Sequence, residues 1–372
     1  MTSQPKTWIH LCLLAAVGML IVWGSLMKVS SQQTPAAAPN YPEYRFNPHV
    51  PMLNGIQQTR KDPWLWLENG RVKLGLNLEY GGAVCWLSKA GSDFNLVNWH
   101  DPGRQIQTSY FGEDSYPVSE SGYRLWKWNP VQAGDVRGNR SPVIAFKEEK
   151  NHLWVRCQPL NWGAMESAVS LRGKSDPGPA PAEAFMDVDA TLDGPVVKLT
   201  FGLTYWGTES HGNCTFEMPA VYTVAPLTRY WTYTGNHPWT NEPAEDLSDK
   251  VPPNMTIKQF EHKATEQWGA WLTPQGFGLT AYQPDATTFS AGTFYPPPGT
   301  VNLDAPRDAH WGRADHCHYL GGFRHLPIDQ WHCRYEWDLY LMVGELAEAR
   351  RVITQDLRHA PKLRANGPAP VN

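Results

Sequence analysis

The feature that most constrains this chain is a run of alternating apolar residues, broken by a glycine pair, within its first hundred residues. Before the glycine pair Gly81-Gly82, apolar residues occupy every second position, at Val72, Leu74, Leu76 and Leu78. After the pair, apolar residues return at Val84 and Leu87. Side chains two positions apart on a strand share a face, and a glycine pair permits a sharp bend. The run predicts a strand, a kink and a second strand.

Short apolar runs between turn residues continue along the chain. The composition of 31 Gly, 32 Pro, 18 Trp, 15 Tyr and 12 Phe is typical of a turn-rich β protein. Only Glu345–Leu357 has the apolar spacing of an amphipathic helix. Besides the opening pair, strands are predicted at 65–68, 143–147, 153–159, 184–191, 196–205, 220–224, 268–273, 277–282 and 335–343. The predicted fold class is therefore mainly β, with one C-terminal helix.

The N-terminus contains about twenty residues without a charged side chain, Trp8 to Met27. A helix of that length spans a bilayer core, so residues 1–28 are a signal-anchor or a signal peptide, and a retained anchor is favoured. The predicted organisation continues with a Pro-rich stalk and strap (29–63), one β domain (64–360) and a disordered tail (361–372). In either case the globular part is expected outside the cytosol, membrane-anchored or secreted.

The net charge limits the binding partners expected for this chain, and the number of cysteines limits its possible disulfides. A net charge of −4 gives no reason to expect nucleic acid, and membrane contact is expected through the N-terminal segment only. Five cysteines lie beyond that segment, an odd number. A Cys317–Cys333 disulfide and buried thiols are the two alternatives.

A polar stretch follows the opening strands and ends in an aromatic residue. Planar hydrogen-bonding groups next to an aromatic ring suit the hydroxyl edge and C–H face of a sugar. Its candidate substrate-binding residues are Asp101, Arg104, Gln107 and Tyr110. The alternative is a loop that an Asp101–Arg104 pair only braces.

A second candidate region is the long aperiodic loop from Trp126 to Asn139. Such loops within compact domains are usually functional or disordered, and this one is too aromatic for disorder. Asp135 is its acid–base candidate, and Trp128, Gln132 and Asn139 are candidate substrate-binding residues.

A third region supplies carboxylates after the strand that ends at Tyr205. Glycosidic cleavage needs one carboxylic acid and one carboxylate, and Glu209 and Glu217 provide two such groups. If 211–217 is extended, His211 shares a face with Glu217. Farther along, His237 and Trp239 are candidate binding residues, although an aromatic residue in a β protein is more often core.

Histidines concentrate near the C-terminal end, and His316 and His318 on a strand would point the same way, as metal ligands do. This makes a Ca²⁺ or Zn²⁺ site a weaker alternative. The spacing is not that of a zinc finger, so lining of a polar cleft is favoured and no cofactor is expected.

The run from Asn69 to Leu87, with Asn-Gly, Leu-Gly and Gly-Gly-Ala-Val, resembles the opening strands of galactose-mutarotase-like proteins. The resemblance implies a β-supersandwich of large antiparallel sheets with a sugar on its concave face. It also implies a late acid–base glutamate, for which Glu336 is a candidate. Sugar epimerases, glycoside hydrolases and polysaccharide lyases share this fold, so the resemblance does not choose a reaction.

These observations predict a carbohydrate-active protein. A glycoside hydrolase acting on an oligo- or polysaccharide is favoured, with Glu217 and either Asp135 or Glu209 transferring protons. A lyase or epimerase on the same fold and a non-catalytic lectin-like module are the alternatives.

Overall fold

The computed structural model describes residues 62–98, 103–112, 126–135, 138–162, 180–252, 260–294, 316–328, 333–360 and 363–366. These residues are mainly β, as predicted, and form three antiparallel sheets with one short helix near the C-terminal end. The N-terminal segment 1–28, the stalk up to residue 61 and Asp101 lie outside the described residues. No helix of the described part is long and apolar enough to cross a membrane.

The opening strands form a three-stranded sheet, as the alternation predicts. Its strands are β1 (Trp64–Glu68), β2 (Val72–Asn77) and β3 (Ala83–Lys89). A 3-10 turn, Leu78–Tyr80, leads into Gly81 and Gly82, whose φ angles are 60° and 74°. These are left-handed values that favour glycine, so the predicted kink is confirmed.

The largest sheet has ten strands. Nine of them run in the order β13, β12, β15, β16, β19, β10, β9, β7 and β6, and β20 pairs with β19. The strands are β6 (Val143–Glu149), β7 (His152–Cys157), β9 (Ala184–Asp193), β10 (Val196–Tyr205), β12 (Arg229–Thr232), β13 (Glu245–Asp246), β15 (Trp268–Leu272), β16 (Phe277–Tyr282), β19 (Cys333–Glu345) and β20 (Arg364–Asn366).

A seven-stranded sheet follows the order β14, β17, β18, β11, β4, β5, β8. Its strands are β4 (Gln107–Phe111), β5 (Pro130–Val131), β8 (Leu160–Asn161), β11 (Gly212–Val224), β14 (Phe260–His262), β17 (Thr288–Phe294) and β18 (Cys317–Ile328).

One hydrophobic core joins the three sheets. It contains Leu65 of β1, Leu199 and Trp337 of the ten-stranded sheet, and Phe216 and Leu320 of the seven-stranded sheet. Sheets that share a core in this way form a sandwich. The predicted architecture of large packed antiparallel sheets is therefore confirmed.

The C-terminal helix and the tail differ in detail from the prediction. The helix α1 spans Leu346–Val352 and continues as a π turn, Ile353–Leu357. Within the predicted disordered tail, Arg364–Asn366 form β20, whose strand pairing supplies the order that composition did not indicate.

Of the two alternatives for Cys317 and Cys333, the disulfide is wrong. Both residues are buried as thiols, as are Cys85, Cys157 and Cys214, and no disulfide joins cysteines of the described ranges. The alternative of buried thiols is the one that the structure contains.

Candidate functional site

The outer face of the seven-stranded sheet carries a cluster of polar and aromatic side chains, which we call the site face. On β11, Phe216 and Met218 point into the core, so Glu217 between them points outward. Glu217 is opposite Ser109 of β4 on one side and Phe323 of β18 on the other. The site face is thus built across the three central strands of the sheet.

The Glu217 carboxylate is half-buried and accepts two hydroxyl hydrogen bonds. Ser109 donates to one oxygen and Tyr319 donates to the other. Burial raises the pKa of Glu217, and the two hydrogen bonds oppose that rise without cancelling it. A carboxylate in this setting holds a proton more readily than one in water.

A glycine makes room for the Tyr319 hydroxyl. A Cβ on Gly321 would lie 2.0 Å from Tyr319 Oη, so the phenol ring lies along β18 directly above this residue. On the neighbouring strand the register shifts between Glu217 and Ala220. The carbonyl of Pro219, within this irregularity, accepts a hydrogen bond of 2.6 Å from Gln283 Nε2.

Aromatic rings border the carboxylate. The ring of Tyr222 lies 5.0 Å from that of Tyr319 and 5.7 Å from that of Phe294. Phe111 lies two residues after Ser109 on β4, and its ring centre is 4.2 Å from that of Trp126. The site face therefore combines flat apolar surfaces with hydrogen-bonding groups, as sugar-binding sites do.

Arg104 lies among the same rings. Its guanidinium carbon is 5.1 Å from the ring centre of Phe294 and 5.6 Å from that of Trp162, and the side chain is buried. Cation–π contacts of this kind fix a guanidinium in place. Of the predicted substrate-binding residues within the described ranges, Arg104 is the one that the structure brings to the rings beside Glu217.

Two further titratable residues, Glu261 and His325, belong to this face. Burial and the charge of Glu217 raise the pKa of Tyr319 well above its usual value, and the exposed Glu261 adds to that rise. His325 of β18 is opposite Thr215 of β11, and its Nδ1 shares a 3.2 Å hydrogen bond with the Thr215 hydroxyl. Thr215 and Glu217 are two positions apart on β11 and share a face of the sheet. His325, opposite Thr215, is therefore a diagonal neighbour of Glu217.

Sequence reasoning missed Ser109, Tyr319 and Glu261, whereas His325 falls in the histidine-rich stretch that was expected to line a polar cleft. Tyr319 and His325 flank the Gly321-Gly322 pair, and that pair was the available indication of a close approach. Ser109 and Glu261 carry no distinguishing pattern in the sequence, because their role depends on cross-strand register.

The other predicted residues of the polar stretch have structural contacts. Gln107 donates to the carbonyl of Gly103 and accepts from the backbone N–H of Ala133 at 2.9 Å. Tyr110 is wholly buried, with its ring 4.3 Å from Phe216. A buried core position offers no surface to a ligand, so the prediction for Tyr110 is corrected to a core residue.

The long loop is braced by its own side chains. The Asp135 carboxylate accepts hydrogen bonds from the backbone and side-chain N–H groups of Asn139, at 2.9 and 2.8 Å. Gln132, also buried, accepts from Thr108 and donates to Gly81. The structure thus places Asp135, Gln132 and Asn139 in a folded turn and gives none of them a contact with Glu217.

Trp128 and His211 form a separate aromatic pair. Their rings stack at 4.1 Å, and His211 Nε2 lies 3.0 Å from the Tyr205 hydroxyl. Burial lowers the pKa of His211. Because β11 begins at Gly212, the alternation that would set His211 beside Glu217 does not reach it, and Glu209 lies exposed before the strand.

His237, Trp239 and Glu336 lie on or beside the ten-stranded sheet. His237 is exposed and pairs with Glu242 at 3.0 Å, and Trp239 packs edge-on to Tyr282. Glu336 is engaged by Arg334 and Arg364. These three predicted residues are not brought together with Glu217, and ion pairing accounts for the position of Glu336.

His318, one of the two residues of the weaker metal-site alternative, has hydrogen-bonding contacts at both ring nitrogens. His318 Nδ1 lies 3.1 Å from Thr293 Oγ1, and Nε2 lies 3.0 Å from the carbonyl of Ala225. Burial lowers the pKa of His318 to about 4. His316 precedes β18, and within the described residues no group of three or more His, Cys, Asp or Glu could hold a metal ion.

No family model matches the chain, and no curated protein matches it. Solved structures similar to it include a proposed aldose 1-epimerase from Escherichia coli K12, at 11% identity and a TM-score of 0.40, over 76% of this chain and 99% of that one. A galactose mutarotase-like protein from Lactobacillus casei is similar at 13% identity and a TM-score of 0.40, over 75% of this chain and 99% of that one. These are proteins of the family that the opening strands resemble. Similarity of this degree concerns the chain trace and assigns no role to any residue.

Proposed function

We propose that this chain is a carbohydrate-active enzyme that transfers protons on a sugar, as an epimerase of the anomeric carbon does, with Glu217 as the base. The observation that supports this most is the half-buried carboxylate that accepts hydrogen bonds from the Ser109 and Tyr319 hydroxyls among aromatic rings. Burial raises the pKa of Glu217 and so strengthens it as a base. A sugar hydroxyl is chemically similar to the two that Glu217 already binds.

The proposed reaction needs one base and one acid. Glu217 takes the proton of the anomeric hydroxyl, the bond from the anomeric carbon to the ring oxygen breaks, and the ring oxygen takes a proton from a ring nitrogen of His325. Rotation about the next C–C bond and reversal of both transfers give the other anomer, so atoms and electrons balance. Tyr319 keeps its own proton, because burial and the Glu217 charge raise its pKa, and it acts as a hydrogen-bond donor.

The test is Glu217→Gln, assayed by polarimetry with α-D-glucose and α-D-galactose. The amide keeps the shape but cannot accept a proton, so we expect kcat to fall about 10²- to 10⁴-fold while KM changes little. Glu209→Gln is the matched control, because Glu209 is exposed and lies before β11. Full activity in the Glu217 variant would remove Glu217 from the mechanism.

Glycoside hydrolysis is the second candidate, and one observation favours keeping it. Glu261 of β14 is opposite Ser290 of β17, which is opposite Gly321 of β18, so cross-strand register places a second carboxylate on the site face. In that reaction Glu261, rather than Asp135 or Glu209, would accompany Glu217. Release of new reducing ends from an oligosaccharide would identify the hydrolase, whereas an epimerase changes optical rotation alone.

The remaining alternatives predict different products. A lyase with a tyrosine base would need an easily ionised phenol, and the raised pKa of Tyr319 disfavours it. A lyase would also produce an unsaturated sugar that absorbs in the ultraviolet. A lectin-like module would bind sugar and yield no product in any of these assays.

We also propose an extracytoplasmic location with a retained anchor, which rests on the apolar segment from Trp8 to Met27. Fractionation of cells that produce the full chain should recover it with membranes. Recovery in the soluble fraction after cleavage beyond residue 27 would indicate a signal peptide.

A further inference from the structure

The outer face of the three-stranded sheet bears three tryptophans, Trp64, Trp66 and Trp86, which we call the tryptophan platform. Leu65 and Leu67 of β1 point into the core, so Trp64 and Trp66 point outward, and all three indoles are half-buried. Trp66 and Trp86 are both cross-strand partners of Gly75 on the central strand. The platform lies on a different sheet from Glu217.

Gly75 provides the floor of the platform. A Cβ at this position would lie 2.6 Å from Trp66 Cζ3 and 2.9 Å from Trp86 Cβ, so the Trp66 ring extends over the glycine backbone. A side chain there would push the indole away from the sheet. The close packing of Trp66 over Gly75 therefore fixes the orientation of its ring.

Two of the three rings are nearly parallel, and the third is nearly perpendicular to Trp66. Trp64 and Trp66 stack at 4.9 Å with their planes 15° apart. Trp86 stands at 75° to Trp66, with ring centres 6.0 Å apart. One flat ring and one nearly perpendicular ring make a corner that fits the C–H face and the side of a pyranose.

Hydrogen-bonding groups border this corner. Lys73 Nζ lies 4.5 Å from the centre of the Trp66 ring, and Glu68 is the cross-strand partner of Lys73. The two charges are opposite and adjacent, so this border offers a donor and an acceptor without an excess of either sign. That combination suits the hydroxyls of a neutral sugar better than an acidic sugar or an apolar protein surface.

We propose that the tryptophan platform is a second carbohydrate-binding site, which holds a neutral sugar unit of a glycan chain without transforming it. The sugar stacks on Trp66 against Trp86, and Lys73 moves from the ring face to a sugar hydroxyl. Such a site would keep the protein on a polymeric ligand, and the site face would act on the reducing end, which is the unit with a free anomeric hydroxyl.

The test is affinity electrophoresis of the purified protein in gels that contain hydroxyethylcellulose, galactomannan or polygalacturonate. We expect retardation by at least one of the two neutral polymers. Trp66→Ala is expected to weaken that binding about tenfold, as loss of one aromatic stacking contact does. Trp206→Ala is the matched control, because Trp206 is 40% exposed and follows β10 of another sheet.

Several outcomes would overturn the proposal: no retardation by either neutral polymer, retardation by polygalacturonate alone, or equal losses in the Trp66 and Trp206 variants. Gly75→Ala supplies a second variant, which retains all three tryptophans but displaces the Trp66 ring, and it should weaken binding as well. Glu217→Gln should bind the polymers like the unmodified protein. Failure of the site-face proposal is thus distinguishable from failure of this one.

Discussion

At the scale of single residues, the Glu217 carboxyl is subject to opposing effects. Burial raises its pKa, and hydrogen bonds from Ser109 and Tyr319 lower it by a smaller amount. Tyr319→Phe removes one donor and leaves the ring, so the pKa of Glu217 should rise further. A base must be deprotonated to act, and the acid limb of kcat/KM should therefore move to higher pH, which a pH–rate profile measures.

Tyr282→Phe is the control for this shift, because Tyr282 is a buried tyrosine of the ten-stranded sheet. Its removal should leave the acid limb in place. An acid limb that stays fixed in the Tyr319 variant, or moves equally in both, would contradict the role given to the Tyr319 hydroxyl.

At the scale of elements, β18 positions Tyr319 only because Gly321 lacks a side chain. In Gly321→Ala the new methyl would lie 2.0 Å from Tyr319 Oη, so the phenol must move away from Glu217. We expect kcat to fall about tenfold, the effect of a lost hydrogen bond to a charged group. Gly112→Ala is the matched control, since among the described residues its Cβ would meet nothing nearer than 3.6 Å. Equal activity of the two variants would show that the phenol position is unimportant.

The strands that sequence reasoning missed belong largely to the sheet that carries the site. The sequences of β4, β14, β17 and β18 do not alternate between apolar and polar residues over their full length. In β18 residues 317–323 are all buried, so both faces of that segment are covered and the pattern of period two disappears. The ten-stranded sheet was largely predictable, because strands such as β10 carry long β-branched and apolar runs. Sequence therefore located the scaffold better than the site.

At the scale of the whole molecule, the candidate site depends on contacts between residues far apart in sequence. Ser109 and Tyr319 lie 108 and 102 positions from Glu217. Glu217 itself was predictable from its apolar neighbours, and Arg104 from its polar stretch, but their surroundings were not. Asp135 had a comparable pattern, and its carboxylate braces Asn139 instead. Local pattern identifies side chains able to do chemistry, whereas strand register decides which of them meet.

The shared core implies that the scaffold and the site unfold together. Leu199 is fully buried in β10, in the core that also contains Phe216 and Leu320 of the site sheet. Leu199→Ala should lower the free energy of unfolding by about 2–5 kcal/mol through lost burial and a residual cavity. Chemical denaturation followed by far-UV circular dichroism and by tryptophan fluorescence should give one coincident transition at a lower denaturant concentration. Leu192→Ala, at a partly buried position of β9, should shift it less. Two separate transitions would mean that the site sheet folds independently of the ten-stranded sheet.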